Sequence, residues 1–438
     1  VIHNHQPVGN FDHVFLQATK RAYDPMLAAL ERHPQVRLTL HYSGPLLDWL
    51  AVNRPAHLDQ LAELVDREQV ELLTGGYYEP ILVSIPADDK IGQLRKMNEY
   101  LRDQFGTEAR GAWLAERIWE PHLAVSLAAA GVDYTVLDDT PFKMAGLCDD
   151  DLFGAYVTEE EGATLQVFGN VTYLRYAIPW RPVETVMGWL EDQAGRHPGG
   201  VAVFADDGEK FGLWPNTREY CWGDDGWVEQ FFRSLEDNAD WLKTLPLGEV
   251  TETKAPLGRI YLPCAAYEEM MHWALPPDAF ARFGEVREEL KEDNRQDVLR
   301  FVGGGAWRSF LGRYDEINQM HKKMLWVSRK VRALPEGELK ERAREHTWSA
   351  QCNCGYWHGL FGGIYLFHIR VANYAHLIAA EALADRAESS SDNWLRVERG
   401  DIDADTNEEI VLNSDRQVMV FKPSYGGALV EWDWRDRR

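Results

Sequence analysis

The chain has 438 residues, of which 45% are hydrophobic and 26% are charged. This composition is typical of a folded globular protein. It holds too much apolar material for a disordered chain and lacks the long uninterrupted apolar run that a membrane span needs. Asp and Glu outnumber Lys and Arg by 70 to 46, which gives a formal charge of −24. An acidic surface of this size repels phosphate backbones, so the composition argues against nucleic acid as a partner.

Cysteine and tryptophan usage add two expectations. The five cysteines form a sparse, odd-numbered set, so we do not expect disulfides to hold the fold together. No basic segment followed by an apolar segment opens the chain, which favours a cytoplasmic location. Trp is as common as Tyr and Phe, at 17 each, and its wide face with a polar N–H suits stacking against a sugar ring. An aromatic-rich core is the alternative explanation for these residues.

Short apolar runs that end in polar or acidic clusters recur through residues 1–263, and segments with helical periodicity lie between most of them. This alternation predicts a parallel sheet with helices outside it. Seven runs fit a closed (β/α)7 barrel better than an open sheet, and in such barrels the working residues sit where strands end. The runs are Val1–Gln6, Val36–Tyr42, Val70–Thr74, Gly111–Glu116, Val132–Leu137, Gly200–Asp206 and Arg259–Pro263.

The pattern changes after residue 263, and we expect three domains. Residues 1–263 form the barrel, residues 264–388 a helical bundle, and residues 389–438 the beginning of a β-sandwich domain that the sequence does not complete. The bundle contains one apolar helix stripe with steps of three and four residues, which predicts core packing. Its members are Ile317, Met320, Met324, Val327 and Val331.

The first candidate site is the pair His3 and His5 in the opening run. Residues two apart on a strand share a face, so both imidazoles point the same way. They could be two metal ligands, two hydrogen-bond donors to a polar substrate, or two histidines satisfied in the core. The sequence does not identify the third and fourth ligands that a metal would require.

The second candidate site follows the third apolar run, where Glu71 and Glu79 flank the glycines Gly75 and Gly76. The glycines allow the backbone to pass close to whatever fills the barrel mouth. Either glutamate could face the site, and either could equally form a buried structural salt bridge.

Two further clusters carry carboxylates at the ends of apolar runs. Glu116 stands beside Arg117 in Trp113–Trp119. Burying a carboxylate without a partner costs free energy, so we expect Glu116 to have either a cationic partner or a catalytic role. Arg117 could be that partner, and catalysis is the alternative that we favour. Asp206, Asp207 and Glu209 lie so close together that at least one pKa should be raised, as a general acid requires. A bound cation or a solvated acidic turn is the other interpretation of the three acids.

Two later segments stand out. Gly355–Tyr365 combines aromatics with glycines, which suits closing over a ligand or a tight helix crossing. Acids at alternate positions, Asp401, Asp403 and Asp405, resemble a calcium loop, although Thr406 replaces the usual glycine and no helix is expected to follow.

Taken together, these segments resemble the five ordered sequence regions of glycoside hydrolase family 57, most closely its 4-α-glucanotransferase and α-amylase branch. The matching segments are His3–Pro7, Val70–Glu71, Trp113–Trp119, Phe204–Gly212 and Tyr356–Gly359. The resemblance spans nearly the whole chain and implies a (β/α)7 barrel and a retaining mechanism on α-glucans. It implies that Glu116 is the nucleophile and Asp207 the acid/base. It also places seven residues at sugar subsites: His3, His5, Glu71, Trp113, Trp214, Trp357 and His358.

The expected activity is therefore 4-α-glucan transfer on maltooligosaccharides, amylose or starch, with α-amylase-type hydrolysis as the alternative. The partners would be α-glucan donor and acceptor chains, without nucleic acid or membrane, and a homodimer stays open. No cofactor is required by this chemistry, and Ca²⁺ at the Asp401 loop is a separate expectation. Two rival hypotheses are a zinc hydrolase using His3, His5 and one of the paired aspartates, and a catalytically silent carbohydrate-binding protein.

Overall fold

The computed structural model describes residues 1–360, 362–389 and 391–435. These residues fall into two compact units. The first comprises Val1–Gln6, Asn10–Val83 and Lys90–Trp307. The second comprises Pro7–Gly9, Ser84–Asp89 and the described residues from Arg308 onward. Residues 264–307 thus pack with the first unit, although the sequence pattern groups them with the helices that follow.

The secondary structure alternates between strands and helices up to residue 207 and is mainly helical from there to residue 388. The strands are β1 (Ile2–Asn4), β2 (Leu38–Tyr42), β3 (Val70–Leu72), β4 (Gly111–Ala112), β5 (Tyr134–Asp138), β6 (Ala155–Glu160), β7 (Ala163–Asn170), β8 (Asp206–Asp207), β9 (Leu395–Gly400), β10 (Glu409–Ser414), β11 (Gln417–Lys422) and β12 (Ala428–Trp434). The helices up to residue 237 are α1 (Asp12–Ala18), α2 (Asp24–Arg32), α3 (Gly44–Asn53), α4 (Pro55–Asp66), α5 (Ala87–Phe105), α6 (Leu123–Ala129), α7 (Thr140–Met144), α8 (Thr172–Ala177), α9 (Val183–Arg196), α10 (Thr217–Trp222) and α11 (Trp227–Asp237). The later helices are α12 (Leu247–Thr253), α13 (Glu268–Trp273), α14 (Pro277–Glu292), α15 (Gln296–Leu299), α16 (Ser309–Arg313), α17 (Asp315–Ala333), α18 (Glu338–Ser349) and α19 (Phe367–Glu388).

Seven parallel strands of the first unit close into a ring. Two sheets, ordered β3-β2-β1-β8 and β4-β5-β7-β6, supply them, with β6 pairing antiparallel to β7 outside the ring. Parallel bridges from Thr74 to Ala112 and from Asn170 to Val203 join the two sheets at both edges. The ring therefore runs β1, β2, β3, β4, β5, β7 and the strand that ends in β8, and the predicted (β/α)7 barrel is confirmed.

One of the seven predicted strands is wrong. Arg259–Pro263 does not enter the ring; Arg259 instead forms a parallel bridge with Val157 on β6. The missing ring strand is β7, which pairs with β5 from Gln166 to Asn170. The sequence pattern overlooks β7 because its first residues alternate between polar and apolar, as an outer hairpin strand does.

The barrel interior is filled by apolar side chains, as the closed geometry requires. Leu73, Val136, Phe168 and Ala205 belong to one buried cluster and are each at most 1% exposed. These side chains form a packed core, so we look for the ligand site at the ends of the strands. We use the term barrel mouth for the rim formed by the carboxyl ends of the strands.

The second unit is helical up to residue 388 and then forms an antiparallel sheet. The predicted stripe is confirmed: its five residues lie buried on one face of α17. The sheet has the order β12-β11-β10-β9, so the predicted strands are also confirmed, with β9 as an additional one. Lys323 on α17 is buried and contacts the carboxylates of Glu381, Glu431 and Asp433 at 3.3, 2.6 and 2.5 Å.

Across the described residues, we find no helix with both the length and the apolar character needed to cross a bilayer.

Candidate active site

The barrel mouth brings together residues that lie far apart in sequence. In the strand register His3 is the partner of His41 on one side and of Asp207 on the other. Parallel pairing places these three side chains at the same height along the strands. The sequence identifies His3 and Asp207 as site residues, and the structure makes them neighbours.

His3, His5 and Glu79 form a buried charged cluster. His3 Nε2 lies 2.8 Å from one oxygen of Glu79, and His5 Nδ1 contacts the other oxygen. Burial opposes the charge of His3, but Glu79 outweighs it and raises the pKa of His3. Burial likewise works against ionised Glu79, and the two imidazoles nevertheless lower its pKa. The cluster therefore holds an ionised glutamate against protonated histidine at the barrel mouth.

His41 completes this cluster from β2 and is missed by the sequence analysis. Its Nδ1 lies 2.8 Å from Nδ1 of His3. Burial and the charge of His3 hold the pKa of His41 well below its ordinary value, so it is neutral and accepts a hydrogen bond from His3. The glycine at position 75 makes room for it, because a β-carbon there would lie 2.5 Å from His41 Nε2.

Glu116 sits just beyond β4 in a strained backbone conformation. Its φ is 55° and that of Arg117 is 49°, which is the left-handed region that residues with a β-carbon rarely adopt. Glu116 is only partly buried, whereas Arg117 is 4% exposed. The turn therefore presents the carboxylate at the mouth and sends the guanidinium into the protein.

Tyr267 holds the Glu116 carboxylate. Its hydroxyl donates a hydrogen bond of 2.8 Å to Glu116 Oε2, and its ring lies against the Arg117 guanidinium, 4.9 Å from centroid to Cζ. The sequence offers little signal for this residue, because it follows Arg259–Pro263, the run misassigned as a barrel strand. Burial raises the pKa of Glu116, while Arg117 and the Tyr267 hydrogen bond oppose that rise.

Arg117 is not the direct partner of Glu116 that the sequence suggests as one alternative. Its Nε lies 3.5 Å from an oxygen of Asp138 at the end of β5. Burial and the neighbouring Asp139 raise the pKa of Asp138 to about 7, against the attraction of Arg117. Arg117 thus acts on Glu116 through its field rather than through a salt bridge.

The two adjacent aspartates at the end of β8 have opposite electrostatic environments. Burial disfavours the charge of Asp206, but Lys210 at 2.6 Å and Arg175 at 3.8 Å lower its pKa. Burial and the negative charge of Asp206 raise the pKa of Asp207 to about 6. Asp207 is also partly exposed and lies within the field of Glu116. The prediction that at least one acid of this group has a raised pKa agrees with these environments.

Glu71 does not join the other candidates. It is in register with Thr39, two residues before His41 on β2, which places it about 7 Å below the mouth at ~3.3 Å per residue. Tyr134 donates a 2.5 Å hydrogen bond to its carboxylate, and Thr39 and the backbone N–H of Gly248 donate others at 3.0 Å. Of the two glutamates that the sequence could not separate, Glu79 is the one at the mouth.

The predicted tryptophans have different surroundings. Trp113 is 2% exposed and stacks under His3 at 4.6 Å between ring centroids, so its face supports the cluster rather than standing open to a sugar. Trp214 is half-buried and stacks on Trp180 at 6.2 Å, and Trp180 is 44% exposed. This pair offers an aromatic surface on the first unit, and Trp180 is a residue that the sequence does not single out.

Trp357 and His358 belong to the second unit. The indole N–H of Trp357 donates to Asn353 at 2.9 Å, and the His358 ring packs edge-on against Phe310 and Tyr314. Their role at sugar subsites stays a prediction. The segment Gly355–Tyr365 that contains them has no α-helix, and its Phe361 lies outside the described residues.

Comparison with known proteins agrees with this geometry. Residues 1–263 match the model of glycosyl hydrolase family 57. The chain belongs to glycosyl hydrolase family 57. The later parts match the middle domain (residues 305–384) and the C-terminal domain (residues 401–438) of the alpha-amylase/4-alpha-glucanotransferase models.

Individual proteins resemble the chain over its whole length or nearly so. Alpha-amylase 1 of Dictyoglomus thermophilum is 43% identical over 100% of this chain and 63% of its own length. The 4-alpha-glucanotransferase of Thermococcus kodakarensis is 44% identical over 98% of this chain and 63% of its own. The crystal structure of 4-alpha-glucanotransferase from Thermococcus litoralis superposes with a TM-score of 0.93 at 40% identity, covering 100% of this chain and 66% of that one. The chain therefore spans less than two thirds of the length of these relatives.

Proposed function

We propose that the protein is a retaining 4-α-glucanotransferase that acts on α-1,4-glucans such as maltooligosaccharides, amylose and starch. The observation that carries this proposal is the pair of partly exposed carboxyl groups at the barrel mouth, Glu116 and Asp207. One is oriented by a tyrosine hydrogen bond, and the other has a pKa raised to about 6. Double displacement at a sugar requires an ionised nucleophile and a protonated general acid, so the surroundings of the two carboxyl groups must give them different pKa values.

The mechanism uses both groups in two steps. In the first, an oxygen of Glu116 attacks the anomeric carbon while Asp207 gives its proton to the departing glycosidic oxygen, leaving a glycosyl-enzyme ester. In the second, Asp207 takes a proton from the acceptor hydroxyl as that oxygen displaces Glu116 from the anomeric carbon. A second sugar chain as acceptor gives transfer, and water as acceptor gives hydrolysis.

We propose that Trp180 and Trp214 bind the acceptor chain, which favours transfer over hydrolysis. The Trp180 and Trp214 pair gives a flat aromatic surface on which a glucan chain can stack. Holding sugar there excludes water from the ester, which raises the share of transfer. Hydrolysis of the α-amylase type is the second candidate, because relatives bearing either name are similar to this chain to the same degree.

Product analysis from maltotriose separates the two candidates. Longer and shorter oligosaccharides together indicate transfer, whereas glucose and maltose alone indicate hydrolysis. We expect Glu116→Gln and Asp207→Asn each to abolish turnover while the circular dichroism spectrum is retained. Glu108→Gln and Asp103→Asn make the same chemical changes at exposed positions and should leave turnover unchanged. Near wild-type rates in either site variant would contradict the assignment.

The zinc-dependent hydrolase is the rival with a geometric basis, with Glu79 rather than one of the paired aspartates beside the two histidines. His3, His5 and Glu79 each offer a ligand atom, and these atoms lie within 4.8 Å of one another. In the proposed mechanism the three residues form an ion pair that binds sugar hydroxyls and needs no metal. Loss of activity with a chelator, restored by zinc, would favour the rival. A catalytically silent carbohydrate-binding protein would leave maltotriose unchanged.

The cytoplasmic location stays part of the proposal, and cell fractionation tests it.

A further inference from the structure

The loop between β9 and β10 concentrates acidic residues at one end of the antiparallel sheet. Asp401, Asp403 and Asp405 alternate along the loop, and Glu409 opens β10. Lys422 on β11 approaches from the neighbouring strand and pairs with Asp403 and Asp405. With Glu408, five carboxylates and the Lys422 ammonium give a formal charge of −4 (1 − 5), so the acids of the loop outnumber the lysine that pairs with them.

Three of the five carboxylates converge on one point. Asp401, Asp403 and Glu409 each place an oxygen within 4.8 Å of the other two. Two ligands on opposite sides of a Ca²⁺ ion, each at ~2.4 Å, are separated by about 4.8 Å. All three oxygens can therefore touch a single ion without moving apart.

Glu409 provides an observation that does not depend on the clustering of charge. The residue is 1% exposed, and its Oε2 accepts a hydrogen bond of 2.8 Å from the Ile402 backbone. Its Oε1 has no hydrogen-bond partner among the described residues, and neither does Oδ1 of Asp403. A buried carboxylate oxygen without a donor costs free energy unless a cation supplies the missing interaction.

We propose that this loop binds one Ca²⁺ ion through Asp401, Asp403 and Glu409. Calcium suits the group because it accepts irregular sets of carboxylate oxygens and completes its shell with backbone oxygens and water. Mg²⁺ demands near-ideal octahedral geometry at shorter distances and suits the loop less well. The proposed site belongs to the second unit and the candidate catalytic pair to the first, and the calcium proposal does not depend on the proposed glucan transfer.

The ligand set differs from the one that the sequence pattern suggests. Asp405 is not one of the three converging carboxylates, whereas Asp401 is, although its two oxygens also accept from the backbone N–H groups of Asp405 and Thr406 at 3.0 Å. One oxygen of Asp405 accepts from the backbone and side chain of Asn407 at 2.8 and 3.0 Å. The other lies 2.6 Å from Nζ of Lys422. Glu409, which begins a strand, takes the place of the third alternating aspartate.

Replacing Lys422 tests whether the acidic loop binds calcium or is neutralised by Lys422 itself. If Lys422 is the resident cation, the loop needs no ion, and Lys422→Met only loosens it. If Ca²⁺ binds, the ammonium repels the ion and competes with it for Asp403, so Lys422→Met should tighten calcium binding severalfold.

Equilibrium dialysis of the full chain against ⁴⁵Ca²⁺ tests the proposal. We expect one ion per chain with a Kd of about 1 mM or tighter, and little competition from Mg²⁺ at equal concentration. Glu409→Gln and Asp403→Asn should each weaken binding by about tenfold or more, because each removes a charged ligand. Glu408→Gln changes the adjacent exposed glutamate and should leave the Kd unchanged.

Folding of each variant is checked by circular dichroism, and Asp401→Asn replaces any variant that does not fold. Absence of saturable binding to the wild-type chain would overturn the proposal. Equal affinity in the Glu409 and Glu408 variants would overturn it as well, and so would unchanged affinity in Lys422→Met.

Discussion

Replacing Tyr267 by Phe isolates one hydrogen bond to the proposed nucleophile. The change removes the hydroxyl that donates 2.8 Å to Glu116 and keeps the ring that packs against Arg117 and Arg175, at 4.9 and 5.0 Å. The donated hydrogen bond stabilises the ionised carboxylate. We therefore expect the pKa of Glu116 to rise further above its ordinary value in the variant.

The size of the shift follows from the strength of that hydrogen bond. A hydrogen bond to a charged group contributes about 1.5–3 kcal/mol, and one pKa unit corresponds to about 1.4 kcal/mol, so the upper bound is a rise of about one to two units. Glu116 is partly exposed, and water can replace part of the lost hydrogen bond, so we expect a rise of about one pKa unit.

Glu116 must be ionised to attack, so the acid limb of kcat/KM moves to higher pH. The pKa of Asp207 at about 6 then leaves a narrower range in which both groups are in the required state.

The assay is kcat/KM for maltotriose measured across the pH range in which the protein stays folded. Tyr134→Phe is the matched control, because it removes a tyrosine hydroxyl that donates to Glu71 inside the same barrel, away from the mouth. We expect the control to alter stability but not the position of the acid limb. An acid limb at the same pH in Tyr267→Phe and wild type would refute the reasoning, even if the rate had fallen.

Three further predictions concern the acid, the packing of the mouth and the second unit. Because the protonated form of Asp207 is the acid, kcat/KM should fall as pH rises through about 6. A kcat/KM that stays at its maximum well above that pH would contradict the assignment. Gly75→Ala places a β-carbon 2.5 Å from His41 Nε2, so we expect a loss of about 1–3 kcal/mol in urea unfolding together with lower activity. Lys323→Met removes the cation that pairs with Glu431 and Asp433, whereas Glu381 keeps Lys330 at 2.8 Å, and the variant should cost about 3–5 kcal/mol in the same assay. Lys291→Met removes an exposed ion pair and should change stability by less than about 1 kcal/mol, so equal losses in the two lysine variants would contradict this account.

The barrel could be predicted from sequence because apolar runs and helical segments alternate clearly over the first 263 residues. The pattern found six of the ring strands and replaced β7 by Arg259–Pro263. Both segments have the period of a half-buried strand, with Ile260 and Leu262 buried in the latter. The two segments differ in strand pairing, because β7 pairs with its ring neighbour β5 and Arg259–Pro263 does not. Strand pairing depends on the closed barrel and cannot be read from the segment itself.

The candidate site was predictable where a charged residue ends a strand and unpredictable where the fold supplies a partner from elsewhere. Glu116, Asp207, His3 and His5 all follow apolar runs, and they meet at the mouth because parallel strands end at the same rim. Tyr267 comes from a segment outside the ring, so no local pattern connects it with Glu116. Glu71 shows the converse case, a strand carboxylate that the fold binds below the mouth.

Glu71 lies on the same segment as the glutamate that reaches the mouth, but its carboxylate is already bound by Tyr134, Thr39 and the Gly248 backbone. Tyr134 and Gly248 lie 63 and 177 residues away in sequence. Local sequence shows the type of a residue and its strand face, whereas long-range packing decides whether its charge is already compensated. That is why the choice between Glu71 and Glu79 required the structure.

The consecutive aspartates 206 and 207 show how one strand can provide two carboxyl groups with different properties. Successive side chains of a strand point to opposite faces, so neighbouring residues enter different surroundings. Asp206 meets Lys210 and Arg175 and stays ionised, whereas Asp207 stands beside His3 in the register and feels the negative charge of its neighbour. The charge of Asp206 thus helps to keep Asp207 protonated near pH 6, and the lysine that compensates Asp206 is 2% exposed. The acid function proposed for Asp207 therefore depends on a buried ion pair that does not itself need to touch the substrate.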